Sequence, residues 1–233
     1  QTVIDNITGT FHGNIYAEGY AHGLEKAIQL TASLQEHLDN AVLLTDYPQD
    51  YQNGLSQQLR QVARLIAART SRSAERDFFY VSMCCWDHHN NVANGLNLRF
   101  TQLDAALRRF VAEMQAQQVF ESVAIVTTSD FARTLTPNSG AGTDHAWAGN
   151  HFVLSGGIRG GKIYNRFPAS FHSGSPMHVG RGRLIPEYPW ESVMLPVAQW
   201  MGVEEGDYAN VFPNYNNFDP NVHFINRTSF FKW

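Results

Sequence analysis

The order of three segments in the middle of the chain restricts its fold more than any other feature. DFFYVSMC (77–84) is a continuous apolar run rich in aromatics, and SVAIVTTS (122–129) is a second, β-branched one. Between them Phe100, Leu103, Leu107, Phe110 and Met114 recur at +3 and +4 spacing. Short apolar runs read as buried strands, and a stripe at helical spacing reads as an amphipathic helix. Strand, helix and strand in that order predict a βαβ unit with parallel strands and a right-handed crossover. Parallel strands end on one edge, so Asp87 and Asp130, each just past a run, are expected side by side where open α/β sheets bind ligands.

The remaining segments fit the same plan. Residues 15–40 and 52–70 read as helices; in the second, Leu55, Leu59, Val62 and Ile66 form one apolar stripe. HFVLSGG (151–157) reads as a further strand, GGIRGGKIYNRFP as loop or hairpin, and 189–203 as a short helix. The expected fold class is α/β, a mostly parallel sheet flanked by helices, in a single domain over 1–233 with an extended tail at 204–233. A chain of 233 residues is long enough for a sizeable core. With 17 Lys+Arg against 21 Asp+Glu and no basic block, nucleic acid is not an expected partner. No apolar run reaches the roughly 18–20 residues needed to cross a bilayer.

Two cysteines, Cys84 and Cys85, are adjacent, so they cannot staple distant segments, and they read as buried thiols. The sequence opens QTVIDNITGT, without an initiator Met or a signal peptide, as a mature product or a piece would. Asn6 and Asn226 lie in N-x-T triplets, acceptors for glycans if the host is a secreting eukaryote.

Three clusters carry the polar chemistry: WDHH (86–89), TTSDFART (127–134) and GTDHAWAGNH (142–151). They offer Asp87, His88, His89, Asp130, Asp144, His145 and His151, the mixture of carboxylate and imidazole that divalent ions take. Taken singly each has a plain structural explanation: a histidine near a strand end as a hydrogen bonder, Asp130 and Asp144 as turn caps. Adjacent His88 and His89 point in different directions, so one of them is expected to face a site. Arg133 could clamp an oxyanion bidentately.

FFYVSMCCWDHHN, SDFARTLTPNSGAGTDHAWAGNHFVLSGGIRGGKIYNRFP, GRGRLIP and VFPNYNNF together resemble the bacterial family catalogued as domain of unknown function 1501, a relative of the alkaline phosphatase and sulfatase superfamily. The resemblance runs over most of 50–218. It implies an alkaline-phosphatase-like sheet with a two-metal centre: Asp87, His89 and His145 on one ion, Asp130 on the other, and Asp144 and His151 as a further ligand or as partners that orient the imidazoles. Cys84-Cys85 stands where the family pattern has small glycines, and Ala132 where it has another. The superfamily's early strand, with its metal-binding Asp and nucleophile, has no counterpart upstream of Glu25, so the chain is expected to be the C-terminal half of such a domain.

The resulting expectation is a metal-dependent hydrolase of phosphate or sulfate esters, with Arg133 on the oxyanion and the nucleophile supplied by a companion polypeptide. Zinc suits the donor set, while manganese, calcium and magnesium remain open. The competing expectation is a non-catalytic structural or binding subunit of an exported or surface assembly. Both place the protein outside the cytoplasm.

Overall fold

In the computed structural model, which describes residues 2–232, helices form where they were expected over 15–40, 52–70, the Phe100–Met114 stripe and 189–203, and a further one that was not expected forms at the start. Helix α1 spans Thr2–Thr8, α2 Ile15–Asp39, α3 Gly54–Ala67 and α4 Val92–Ala116. Asn53 caps α3, its side chain accepting from the Ser56 N–H (3.1 Å) and donating to the Gln102 carbonyl of α4 (2.8 Å). Leu55, Leu59, Val62 and Ile66 of α3 are buried against Ala106, Phe110 and Met114 of α4. Each large side chain so buried contributes about 1.5–3 kcal/mol, and this helix pair forms the first core.

The parallel sheet does not form, which corrects the expected α/β class. Among the described residues the β-structure is two antiparallel two-stranded sheets. Strand β1 (Ile125–Val126) pairs with β4 (Val153–Leu154), and β2 (Ala132–Arg133) with β3 (His145–Ala146). Residues 77–84 explain the difference. They alternate as a strand does, with Phe79, Val81 and Met83 packed on the first core and Phe78 and Tyr80 87% and 81% exposed. Among the described residues, however, they make no backbone–backbone hydrogen bond. A side chain stands in for the missing neighbour: Gln58 accepts from the Ser82 N–H (2.9 Å) and donates to the Ser82 carbonyl (2.8 Å). Side-chain burial gives these residues strand geometry without a ladder.

A second core gathers around α5 (Glu191–Trp200). Pro196 inside α5 has no N–H to give the Ser192 carbonyl, and Ile225 N–H takes that acceptor at 3.2 Å. Residues 204–232, expected as an extended tail, fold instead into short turns: α6 (Tyr208–Val211), α7 (Pro220–His223) and α8 (Arg227–Phe230). Phe230 and Phe231 are 1% and 0% exposed, and Phe231 stacks on Trp200 at 5.3 Å. No helix is long and apolar enough to cross a membrane among the described residues.

Candidate metal centre

Two segments far apart in sequence are joined backbone to backbone to make the site. Residues 84–91 lead into α4 through a sharp turn in which Cys85 has φ +73° and Asn91 φ +46°. The β2–β3 hairpin brings 138–145 alongside them. The N–H groups of Asn91, Val92 and Thr143 donate to the carbonyls of Gly140, Ala141 and His88, each at 3.0 Å. Asn138 adds a side-chain bond to the His89 carbonyl at 2.9 Å.

The histidine pair divides at this turn. The His88 ring bonds the Trp86 carbonyl (3.1 Å) and lies over Gly95 of α4, where a Cβ would stand 2.1 Å from it. His89 turns the other way, toward Asp87 and His145. The two cysteines, expected as buried thiols, are both exposed and free. An L-residue in the left-handed region costs about 1–2 kcal/mol, partly offset because glycine loses more entropy on folding. Cys85→Gly is therefore expected to raise stability by about 0.5–1 kcal/mol in a denaturant titration. A fall would mean that contacts of the thiol hold the turn.

Three donor atoms converge. Asp87 Oδ1 lies 3.1 Å from His89 Nε2 and 3.0 Å from His145 Nε2, and the two Nε2 atoms lie 3.1 Å apart. A neutral imidazole nitrogen carries either one proton or one lone pair, so three mutual contacts cannot all be hydrogen bonds. One cation at the centre would satisfy all three. With metal–ligand bonds of about 2.0–2.1 Å, neighbouring ligands of an octahedral or tetrahedral ion stand roughly 2.8–3.4 Å apart, so this triangle fits.

Surrounding groups hold the triangle in place. Phe131 stacks on the His145 ring at 4.2 Å. Arg133, across β2–β3 from His145, donates to Asp87, to the His88 carbonyl (3.0 Å) and to both the carbonyl and hydroxyl of Thr143. Its guanidinium is thus engaged with the protein, holding Asp87 rather than facing open space. Asp144 Oδ1 lies 3.7 Å from His89 Nδ1 and accepts from Asn138 (3.1 Å), while its Oδ2 accepts from Arg181 (2.5 Å). Partial desolvation pushes the Asp87 carboxyl up; the His145 hydrogen bond and the charges of His89, His145 and Arg133 outweigh it and hold the group below its ordinary value. The Asn138 hydrogen bond, opposed by desolvation and aided by Arg181, lowers Asp144 likewise.

Asp130 and His151 are not brought into this cluster. Asp130 is exposed, past the end of a strand only two residues long that pairs antiparallel with β4. His151 borders a cavity of about 30 Å³ with Thr127, Ser129 and Trp190, and the crowding of its ring depresses its basicity although part of its surface is exposed. Arg181 and Asn138 entered the sequence reading only as letters inside motifs. The signal for Arg181 was its place between two glycines in GRGR, a pattern of residues with positive φ.

A family described as "Protein of unknown function (DUF1501)" matches residues 12–179. No curated protein and no solved structure matches the chain.

Proposed function

The chain belongs to the DUF1501 family, and from that premise we propose that it binds a divalent metal ion at Asp87, His89 and His145 in order to hydrolyse phosphate or sulfate esters. The observation that carries this reading is the convergence of three ligand atoms, one from each residue, within 4.8 Å of one another. Two imidazoles and one carboxylate suit zinc first, with further coordination positions left for substrate. A divalent ion bound there supplies electrostatic stabilisation of the charge that develops on the ester oxygens. The chain's own residues supply the rest: Arg133 fixes the Asp87 carboxylate, Asp144 faces the far nitrogen of His89, and Phe131 fixes the plane of His145.

The test is zinc binding by calorimetry, with hydrolysis of p-nitrophenyl phosphate and sulfate measured on the loaded protein. Wild type is expected to bind close to one ion per chain, and Asp87→Ala or His145→Ala to weaken binding by at least about 100-fold. A wild-type chain that takes up no zinc, manganese or magnesium would end the metal reading.

A second reading is supported by residues 77–84, whose alternating exposed aromatics and backbone, bonded to no other strand among the described residues and met only at Ser82 by the Gln58 side chain, form an open strand edge. Such an edge accepts a strand from another polypeptide. On this reading the chain is a binding or structural subunit. On the hydrolase reading, the same edge is where a companion segment carrying the nucleophile would dock. Co-purification of one defined companion, lost on Phe78→Lys with Tyr80→Lys, separates an assembly from a chain acting alone.

A further inference from the structure

Helix α3 has two faces. Leu55, Leu59, Val62 and Ile66 bury one in the first core; Gln57, Arg60, Gln61 and Arg64, spaced at +3, +4 and +7 from the first, lie on the other. The segment leading into the helix is tied to this second face. Arg60 Nε donates to the Tyr47 carbonyl (2.8 Å) and Gln57 Nε2 to the Asp50 carbonyl (3.1 Å). Segment and helix together line a cavity of about 240 Å³ with six polar side chains: Gln49, Tyr51, Gln57, Arg60, Gln61 and Arg64. None of them belongs to the Asp87, His89 and His145 triangle.

The lining carries charge without a counter-charge. Asp50, the acid of the adjoining segment, is taken up by Arg109 of α4 at 2.8 Å. Arg60 and Arg64 form no ion pair among the described residues. Hydrogen-bond donors are also in surplus. Arg60 uses only Nε within the protein, and its two terminal nitrogens have no partner among the described residues. The Gln49 side-chain oxygen accepts from the Tyr51 hydroxyl, and that of Gln61 from Arg64 Nη1 (3.2 Å). Both amide nitrogens therefore remain open to donate. Gln57 is the reverse case, with its nitrogen engaged and its oxygen open.

A polar helix face in water needs no ligand, and mobile side chains serve there as well as fixed ones. These arginines are fixed. Arg60 is held on the Tyr47 carbonyl, and Arg64 on the Leu38 carbonyl (2.8 Å) and on Gln61. Much of the rotamer freedom that binding would cost is thus lost already in folding. A guanidinium fork beside amide donors matches the oxygens of a carboxylate, phosphate or sulfate. At about 240 Å³ the cavity is below the roughly 300–1,000 Å³ of a drug-sized site, so its occupant is small.

We propose that this cavity binds a small hydroxylated molecule carrying one oxyanion group, of the sugar-acid kind. The oxyanion meets Arg60, Gln49 and Gln61, Arg64 supplies the second positive charge, and a hydroxyl of the ligand donates to Gln57. The site goes beyond the metal reading and does not depend on it.

The experiment follows the side-chain amide and guanidinium Nε–H signals in nitrogen–proton spectra as sodium sulfate, sodium glucuronate or glucose is added, with sodium chloride keeping the ionic strength equal. None of these probes is a phosphate or sulfate ester, so hydrolysis plays no part in the readout. The expected result is saturable shifts at Gln49, Gln57, Gln61 and Arg60 with sulfate and, more tightly, with glucuronate, and none with glucose. Arg60→Gln should weaken glucuronate binding at least about 10-fold, and Arg60→Lys, which keeps the charge and loses the fork, by less. Gln49→Ala removes an exposed side chain, so it should fold as wild type does and bind about 3- to 10-fold more weakly. That variant carries the test if Arg60→Gln, which also releases the Tyr47 carbonyl, fails to fold. Shifts that do not saturate with either anion, or one dissociation constant shared by wild type and Gln49→Ala, would overturn the proposal. Equal affinity for sulfate and glucuronate would overturn its hydroxylated part and leave an oxyanion site.

Discussion

Glu113→Ala is expected to destabilise the protein by about 3 kcal/mol, read as a fall in the denaturant midpoint. Glu113 lies on the buried face of α4 and is 0% exposed. Its carboxylate accepts from the N–H groups of Leu44 (3.0 Å) and Thr45 (2.9 Å), the Thr45 hydroxyl (2.6 Å) and Gln117 (2.7 Å). It thereby straps the segment before α3 onto the first core. Removing it leaves several donors at a half-buried site without their acceptor, and each donor left unsatisfied costs up to about 1–3 kcal/mol. Burial pushes the Glu113 carboxyl up, but the Thr45, Leu44 and Gln117 hydrogen bonds outweigh it, and its folded value lies below the ordinary one. The folded state therefore binds this proton more weakly than the unfolded state. The contribution is complete above the unfolded value, about pH 4.3, and is lost as pH falls through the folded value. Stability curves of wild type and Glu113→Gln should thus run parallel from neutral pH down to about 5 and converge in more acid solution. A constant separation down to pH 3 would show that the carboxylate's charge is not what holds the strap.

Gly142→Ala is expected to damage the site more than any surface change near it. A Cβ there would lie 2.1 Å from His89 C, 2.2 Å from His89 O and 2.4 Å from Asn90 N, all backbone atoms with no rotamer to move into. The two segments that carry the triangle would have to part by about 1 Å, straining the bonds from Thr143 to His88 and from Asn91 to Gly140. The expected cost is about 2–4 kcal/mol, with zinc affinity reduced because His89 and His145 separate. Gly95→Ala is the control. The obstacle there is also at 2.1 Å, but it is the ring of His88, which can swing, and alanine favours the helix. That variant should stay within about 1 kcal/mol of wild type. If the two variants proved equally mild, the close backbone approach at Gly142 would not be a constraint on the site.

The helices were legible because their stripes are long: Leu55, Leu59, Val62 and Ile66 lie on the buried face of α3 as their spacing requires. Sheet topology was not legible, because an apolar run states that a segment will be extended and half-buried, not that a neighbour will bond it. Residues 77–84 meet the first condition and lack the second. The error propagated to Asp130, which was placed beside Asp87 only through the assumed parallel strands. Asp87, His89 and His145 were readable as candidate ligands from their motifs, and their convergence came from a hairpin and a backbone zipper that no periodicity encodes. Glu113 was readable and missed: it continues the buried series Ala106, Phe110 at +3, so a charge on that stripe already implied a set of buried donors.

The packing of Phe230 and Phe231 sets an order on synthesis. The first core draws on residues between Leu43 and Ile125, so it can close once the ribosome has released that part of the chain. The core containing Val153, Ile158, Val193 and Trp200 closes only around Phe230 and Phe231. Until residue 231 has been made, those apolar side chains have no cover. The interval between the two closures is the period in which a nascent chain is most exposed to chaperones and to its neighbours.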